Sequence, residues 1–155
     1  MALPPFQIAL EEHREAVSRF LTASIGRQEA EDVLQETLIA ALRGYPRLRH
    51  GSNLRAWFLT IARNKALDSH RARARRPVPV PDPDAQAVDP PAVEGADEEL
   101  WSAVRGLPPK QRAAVVLRFV NDLSHREIAR VLDSSEAAAR QNLREGLSKL
   151  REEWA

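Results

Sequence analysis

Residues 124–150 read SHREIARVLDSSEAAARQNLREGLSKL, and this stretch decides the fold of the C-terminal half of the chain. Ser124 and Glu127 have the spacing of a capping box, which predicts a helix beginning here. The helical pattern ends near Leu132, and the polar turn 133–135 leads into a second helix over about Glu136–Glu153. Two helices joined by a three-residue turn predict a helix-turn-helix unit.

The second helix of this unit has two unlike faces. Leu143, Leu147 and Leu150 are predicted inward anchors, with Ala139 as a weaker one, while Ala129 is small enough for the helices to cross closely. Arg and Gln near a helix N-terminus can read base edges in the major groove. An all-α hairpin with a merely solvated polar face is the alternative. The outer face contains Ala137, Arg140, Gln141, Arg144, Ser148 and Arg151.

The rest of the chain also has helical periodicity on both sides of a break. The segment 77–96 contains six prolines, so it predicts an extended tether between two helical domains. On its C-terminal side we expect further helices over about Asp97–Arg105 and from Pro108 or Pro109 to Val120. On its N-terminal side we expect three, over about Phe6–Ser24, about Gln28–Gly44, and from Ser52 or Asn53 to the basic tail before Pro77. The second of these has apolar residues on one predicted side, namely Val33, Leu34, Leu38, Ala41, Leu42 and Tyr45.

The net charge of +1 conceals an uneven distribution along the 155 residues. Residues 1–36 carry −4, residues 37–76 carry +9, residues 77–99 carry −7 and residues 100–155 carry +3. A basic block as concentrated as 37–76 predicts a polyanion partner. Balance by the acidic linker alone is the less favoured explanation.

Several classes of protein are excluded by composition. The chain has no cysteine, which argues against disulfides, thiol redox chemistry and cysteine-ligated zinc. No apolar run approaches the roughly 20 residues that span a bilayer, and no export signal is evident, so we expect a cytoplasmic protein without membrane insertion. We find no metal-ligand or phosphate-loop motif, and therefore predict no catalytic residue, metal or cofactor.

Two N-terminal features suggest contact surfaces. Asp32, Gln35, Glu36 and Ile39 share the outer face of the second helix with Arg43, and an apolar side chain within a polar stripe suggests a protein contact. The loop 47–53 is basic and polar, and Trp57 and Phe58 follow it. Such a combination suits an unstacked base, although the spacing of 54, 57, 58 and 61 also favours a core position for Phe58.

These motifs together resemble a family. The run AEDVLQETLIAALRGYPRLRHGSNLRAWFLTIARNKALDSHRARARR resembles region 2 of the extracytoplasmic-function (ECF) sigma factors of the sigma-70 family. The run LPPKQRAAVVLRFVNDLSHREIARVLDSSEAAARQNLREGLSKLRE resembles their region 4. The resemblance implies an all-α chain with a region 2 domain over 1–76, a proline-rich linker over 77–96 and a region 4 domain over 97–155.

The resemblance also implies a function and partners. It implies an alternative sigma factor that binds core RNA polymerase, directs it to promoters and melts the −10 element. Region 2 would dock on the β′ clamp helices and region 4 would meet the β flap, and an anti-sigma factor is a further possible partner. The linker would thread toward the active-centre and RNA-exit channels.

Residue roles follow at matching positions. The implied polymerase contacts are Asp32, Gln35, Glu36 and Ile39. The implied −10 contacts are Arg49, His50, Gly51, Ser52, Asn53, Trp57, Arg63, Asn64 and Lys65, with Arg71 and Arg73 on phosphates. The implied −35 contacts are Ser135, Arg140, Gln141 and Arg144.

Region 4 departs from the family pattern. Family members commonly have glycine followed by a branched apolar residue where this chain has Asp133-Ser134, and a threonine-valine pair where it has Ala138-Ala139. In addition, Glu136, Glu145 and Gly146 dilute the positive charge of the last helix. We therefore expect weak or unusual −35 recognition. The main competing hypothesis is a helix-turn-helix regulator that does not engage polymerase, and a helical enzyme is the other.

Overall fold

The computed structural model describes residues 2–75 and 95–153, with backbone only for 73–75, 95–97 and 153. Every regular element within these ranges is helical, as the periodicity predicts. The elements are α1 (Phe6–Ile25), α2 (Arg27–Gly44), a 3-10 turn (Tyr45–Arg47), α3 (Leu54–Arg75), α4 (Gly95–Arg105), α5 (Pro109–Phe119), α6 (His125–Val131) and α7 (Glu136–Glu153).

The N-terminal unit is a bundle in which α1, α2 and α3 all pack against one another. Phe20, Leu21, Phe58 and Leu59 are almost completely buried and form the centre of this bundle. Phe58 therefore has the core position that its spacing predicted. Burial of one side chain of this size contributes about 1.5–3 kcal/mol.

The buried stripe of α2 is narrower than its sequence predicted. Val33, Thr37 and Ala41 form the stripe at a spacing of four, and the Thr37 hydroxyl donates to the Val33 carbonyl at 2.7 Å. The prediction that Leu42 lies on the buried side is wrong, because its side chain is 56% exposed. In an α-helix adjacent residues are turned by about 100°, so a residue next to Ala41 points away from the core.

The C-terminal unit is built around α7, which packs on both α5 and α6. The predicted capping box is present, since the Ser124 hydroxyl accepts from the Glu127 amide and Glu127 accepts from the Ser124 amide, both at 3.2 Å. Asp133 has φ of +50°, and the Ser134 amide donates to the Ala129 carbonyl at 2.9 Å. This is a Schellman ending with aspartate where glycine is commoner.

Residues of the two units meet directly. Helix α3 contacts α6, and α1 contacts both α4 and α5. The Asn121 amide donates to the Ala16 carbonyl at 2.9 Å, and the Arg55 guanidinium donates to the Asp122 carbonyl at 3.2 Å. Arg55 also lies 3.8 Å from the carboxylate of Glu127.

The predicted proline-rich linker lies outside the described residues, apart from its last two positions. Gly95 and Ala96 belong to α4, which begins slightly before the predicted start at Asp97. Helix α3 continues to Arg75, so the basic tail is helical up to this residue.

Candidate nucleic-acid interface

The outer face of α2 is open to solvent. Asp32, Gln35 and Glu36 are exposed, and Ile39 is 51% exposed beside the equally exposed Leu42. The four residues predicted here therefore share one accessible surface, to which the structure adds a second apolar side chain.

An open groove of about 430 Å³ runs between α2 and α3 beside this face. Its acidic lining residues are Glu29, Asp32 and Glu36 from α2 and Asp68 from α3. Asp68, the only acid in the basic block, thus joins the acidic cluster of α2 rather than the basic surface. Four carboxylates around one groove favour a basic protein partner and disfavour DNA.

The loop before α3 is held by its own side chains. The Ser52 hydroxyl donates to the Arg49 carbonyl at 2.6 Å, and Gly51 has φ of +82°, which favours glycine. The Asn53 side chain caps α3 by accepting from the Ala56 amide at 3.1 Å. His50 accepts at Nδ1 from the Leu3 amide at 3.2 Å. Ser52 and Asn53 therefore shape the loop, whereas the Arg49 and His50 side chains remain exposed.

Trp57 is half-buried and belongs to an aromatic cluster. Its ring lies 5.1 Å from that of Phe58 and 6.1 Å from that of Tyr45, measured between centroids. Tyr45 packs edge-on against Phe6 at 5.2 Å, and its hydroxyl donates to the Pro4 carbonyl. The cluster fixes the orientation of Trp57 and leaves part of the indole accessible.

Arg63, Asn64 and Lys65 lie further along α3, about 17 Å from the loop at 1.5 Å per residue. Asn64 is exposed, whereas Arg63 is half-buried and lines a small cavity with Arg112 of α5. Burial lowers the pKa of the Arg63 guanidinium, with the charge of Arg71 as a smaller cause. Burial also lowers the pKa of Arg112. The structure therefore places Arg63 beside the C-terminal unit, whereas its neighbour Asn64 is exposed to solvent.

Helix α7 exposes Arg140, Gln141 and Arg144 together near its N-terminus. Arg140 donates to Glu136 at 3.0 Å, and Gln141 donates to Glu145 at 2.9 Å. The predicted contact Ser135 is the helix cap, since its hydroxyl accepts from the Ala138 amide at 3.0 Å. The buried anchors include Ala139, Leu143 and Leu150, with Leu147 partly buried.

Sequence reasoning missed three polar residues that link elements. Arg55 and Asn121 connect the two units, and Gln111 of α5 donates to Glu145 of α7 at 3.0 Å. Gln111 and Asn121 are each only 9% exposed. The available signal was a polar residue within an otherwise apolar face, which becomes buried when it has a partner.

The described residues contain neither a membrane-spanning helix nor a metal-binding cluster. No helix over 2–75 or 95–153 is long and apolar enough to cross a membrane. The same residues form no cluster of three or more His, Asp or Glu side chains that could hold a metal ion.

A three-helix bundle with a basic third helix, followed by a helix-turn-helix unit with exposed Arg and Gln, defines a helical DNA-binding protein. Comparison with known families makes this class more specific. The model of sigma-70 region 2 matches residues 9–76, and that of sigma-70 region 4 matches residues 97–150.

Individual proteins agree with the family models. The chain is 31% identical to the RNA polymerase sigma factor CarQ of Myxococcus xanthus, over 95% of this chain and 87% of that protein. It is 33% identical to the ECF RNA polymerase sigma factor BldN of Streptomyces coelicolor, over 83% of this chain but only 52% of BldN. The chain thus spans about half the length of that relative.

A solved structure has the same fold over both units. The sigma factor RpoE from Bartonella quintana, crystallised with the anti-sigma factor NepR, superposes with a TM-score of 0.74 at 23% identity. The match covers 95% of this chain and 94% of RpoE. The chain belongs to the sigma-70 family, among its ECF sigma factors.

Proposed function

We propose that this chain is an alternative sigma factor that binds core RNA polymerase, directs it to specific promoters and melts the −10 element. The observation that carries the proposal is the exposed face of α2, on a chain that also contains a helix-turn-helix unit. Asp32, Gln35, Glu36 and Ile39 are exposed on this face, and Asp32 and Glu36 also line the acidic groove. A regulator that binds only DNA has no use for an acidic face on its most basic domain.

Polymerase binding would use this α2 face against the β′ clamp helices. The carboxylates of Asp32 and Glu36 would pair with basic residues, while Ile39 and Leu42 would supply the apolar contact. Charge pairs steer association, and truncating one partner of a buried pair costs about 2–5 kcal/mol. Region 4 would add a second contact with the β flap.

Recognition of the −10 element would use the loop and the outer side of α3. Arg49, His50 and Gly51 would surround an extruded base, in a loop whose shape Ser52 and Asn53 maintain through their hydrogen bonds. Flipping a base costs a few kcal/mol, which base capture and phosphate contacts must offset. The phosphate contacts would come from Asn64, Lys65, Arg71 and Arg73, and from Arg63 once the two regions separate.

Recognition of the −35 element would place α7 in the major groove. Arg140, Gln141 and Arg144 are the exposed readers, and Ser135 would act by capping the helix that presents them. The −35 DNA stays double-stranded, so its major groove is open to a helix.

The remaining proposals concern partners and location. We place the protein in the cytoplasm with its polymerase, and assign it no catalytic chemistry, because core polymerase makes the phosphodiester bonds. An anti-sigma factor is a fitting inhibitor, since the superposed RpoE was crystallised with one. The domain boundaries 1–76, 77–96 and 97–155 belong to the same proposal.

Run-off transcription with bacterial core polymerase and a promoter library tests the function. We expect specific start sites with the wild type, and their loss with the double reversal Asp32→Arg/Glu36→Arg. Core binding should weaken by at least roughly 30-fold, the equivalent of 2 kcal/mol. The control Glu98→Arg/Glu99→Arg makes the same charge change at two exposed residues of α4 and should transcribe normally.

The competing regulator hypothesis makes the opposite prediction. It expects no core binding by the wild type and unchanged DNA binding in the α2 double reversal. Absence of core binding by the wild type, with its DNA binding retained, would contradict the sigma-factor proposal and favour a DNA-binding regulator of the same fold. Unchanged DNA binding in the double reversal is expected under both hypotheses and does not separate them.

A further inference from the structure

The carboxylate of Glu145 joins the interior of region 4 to its DNA-facing surface. Its Oε1 accepts from the Gln141 amide nitrogen at 2.9 Å, and its Oε2 accepts from the Gln111 amide nitrogen at 3.0 Å. Gln111 lies on α5 and is buried, whereas Gln141 is exposed on the outer face of α7. Glu145, which the sequence analysis treated only as a dilution of the positive charge of the last helix, therefore accepts hydrogen bonds from side-chain amides on two helices.

Gly146 explains how α7 comes close enough to α5 for this contact. A Cβ at Gly146 would lie 2.8 Å from Val115 Cγ2 and 3.3 Å from the Gln111 carbonyl oxygen. Both atoms belong to α5, and Val115 is buried. A side chain here would push the helices apart, so the glycine next to Glu145 keeps the carboxylate within reach of Gln111.

The chemistry of the carboxylate fixes the direction of both amides. An ionised carboxylate only accepts hydrogen bonds, so Gln111 and Gln141 must each turn their NH₂ group toward Glu145. Gln141 then has its Oε1 and a second N–H free for another partner. A glutamine with one donor and one acceptor free matches N7 and N6 of adenine in the major groove.

From this geometry we propose that Glu145, anchored by Gln111, is a positioning residue that orients Gln141 to read an adenine in the −35 element. The inference deepens the proposed function and rests on α7 entering the −35 major groove. Gln141 makes the base contact, and Glu145 acts only through it. Holding the amide before DNA arrives removes part of the ordering cost of the contact.

The prediction separates base preference from affinity. Full-length protein with core polymerase is assayed by run-off on templates with a fixed −10 element and a randomised −35 element. We expect one position where the wild type prefers adenine by roughly 5- to 150-fold, the range of a bidentate contact. Gln141→Ala should abolish that preference.

Two variants test the positioning role. Glu145→Gln should reduce the adenine preference by at least about threefold and strengthen binding to unrelated duplex DNA, because a negative charge is lost near the phosphates. Gln111→Leu should lower the preference in the same direction without a change of charge, since it removes the anchor from a buried site. In Gln141→Ala/Glu145→Gln, the base preference should equal that of Gln141→Ala alone, because both changes act through one contact.

The matched control is Glu152→Gln, which makes the same charge change at an exposed site on the last turn of α7 and should keep the adenine preference. Thermal unfolding of every variant checks that region 4 stays folded. If the Glu145 variant unfolds, Gln111→Leu still tests the positioning role, because it fills a buried site with an apolar side chain. An adenine preference retained in both Glu145→Gln and Gln111→Leu would overturn the inference. Specific initiation by the wild type with no adenine preference that depends on Gln141 would overturn it as well. Failure of the wild type to initiate at any promoter would instead contradict the proposed function, and the inference with it.

Discussion

His13 is a half-buried titratable residue that packs against the core of the N-terminal unit. Its ring stacks against that of Phe58 at 5.5 Å between centroids. Burial lowers its pKa from the usual 6.5, the charge of Glu12 opposes this shift, and that of Arg55 adds to it. The folded state therefore favours neutral His13, whereas the unfolded chain takes up a proton more readily.

The stability of region 2 should consequently depend on pH. The contribution of neutral His13 to the free energy of unfolding is fully present above pH 6.5. This contribution is lost as the pH falls through the lowered pKa of the folded state. Thermal unfolding measured from about pH 8 to about pH 5 should show a smaller loss of stability for His13→Gln than for the wild type. The exposed control His70→Gln should keep the full loss, and an equal loss in all three proteins would contradict the assignment.

Single side chains divide into those whose roles the sequence predicted and those it missed. The capping box of Ser124 depends on neighbouring residues only, so its local pattern was sufficient to predict it. The resemblance assigned Ser52, Asn53 and Ser135 to DNA contacts. Each of these side chains also forms a hydrogen bond with a backbone group three residues away. A sequence motif does not distinguish a residue that contacts a ligand from one that shapes the contact.

At the scale of elements, the close approach of α5 and α7 depends on Gly146. Gly146→Ala would gain about 1 kcal/mol of helix propensity and incur about 1–3 kcal/mol of overpacking. We expect a net destabilisation of about 1 kcal/mol, because the clashing atoms are a stiff valine and the backbone of α5. Denaturant unfolding measures this difference.

Val115→Ala supplies the matching test of that contact. It removes the Cγ2 atom that a Cβ at Gly146 would meet at 2.8 Å. The double variant should therefore be more stable than the sum of the two single effects allows. Strict additivity would mean that the helices do not meet at this position.

Helix boundaries and buried faces were predictable to different degrees. The bounds of α1, α2 and α7 follow from their periodicity and from the residues that end them. Leu42 was assigned to the buried side of α2 because it is apolar, although Val33, Thr37 and Ala41 form the stripe that α1 and α3 cover. Burial of a threonine and exposure of a leucine depend on the partner helices, and a single helix sequence does not contain them.

At the scale of the whole molecule, a few polar contacts add to the helix packing between the two regions. The ion pair of Arg55 with Glu127 is long and partly exposed, so it contributes little, up to about 1 kcal/mol. The buried Asn121 bond to Ala16 is the stronger contact. We expect Arg55→Ala/Asn121→Ala to separate the regions, which small-angle X-ray scattering would detect as a larger radius of gyration.

A control keeps this experiment specific. Arg19→Ala removes an exposed arginine from α1 that pairs only with Glu15 of the same helix in the described structure, and it should leave the radius unchanged. An unchanged radius in the double variant would show that apolar packing of α3 on α6 suffices. This arrangement could not be predicted from the sequence, since the contacting residues lie far apart in the chain and no motif pairs them.

The modest strength of these contacts matters because both regions belong to one polypeptide. Units joined by a chain meet at an effective concentration that is commonly on the order of millimolar. Contacts too weak to bring separate proteins together can therefore keep the regions associated, and a partner of ordinary affinity can still displace them. Cleavage at a protease site inserted within residues 77–94 should release two fragments that elute separately in gel filtration at micromolar concentration. In the separated fragments, the C-terminal region would no longer cover the half-buried side chain of Arg63.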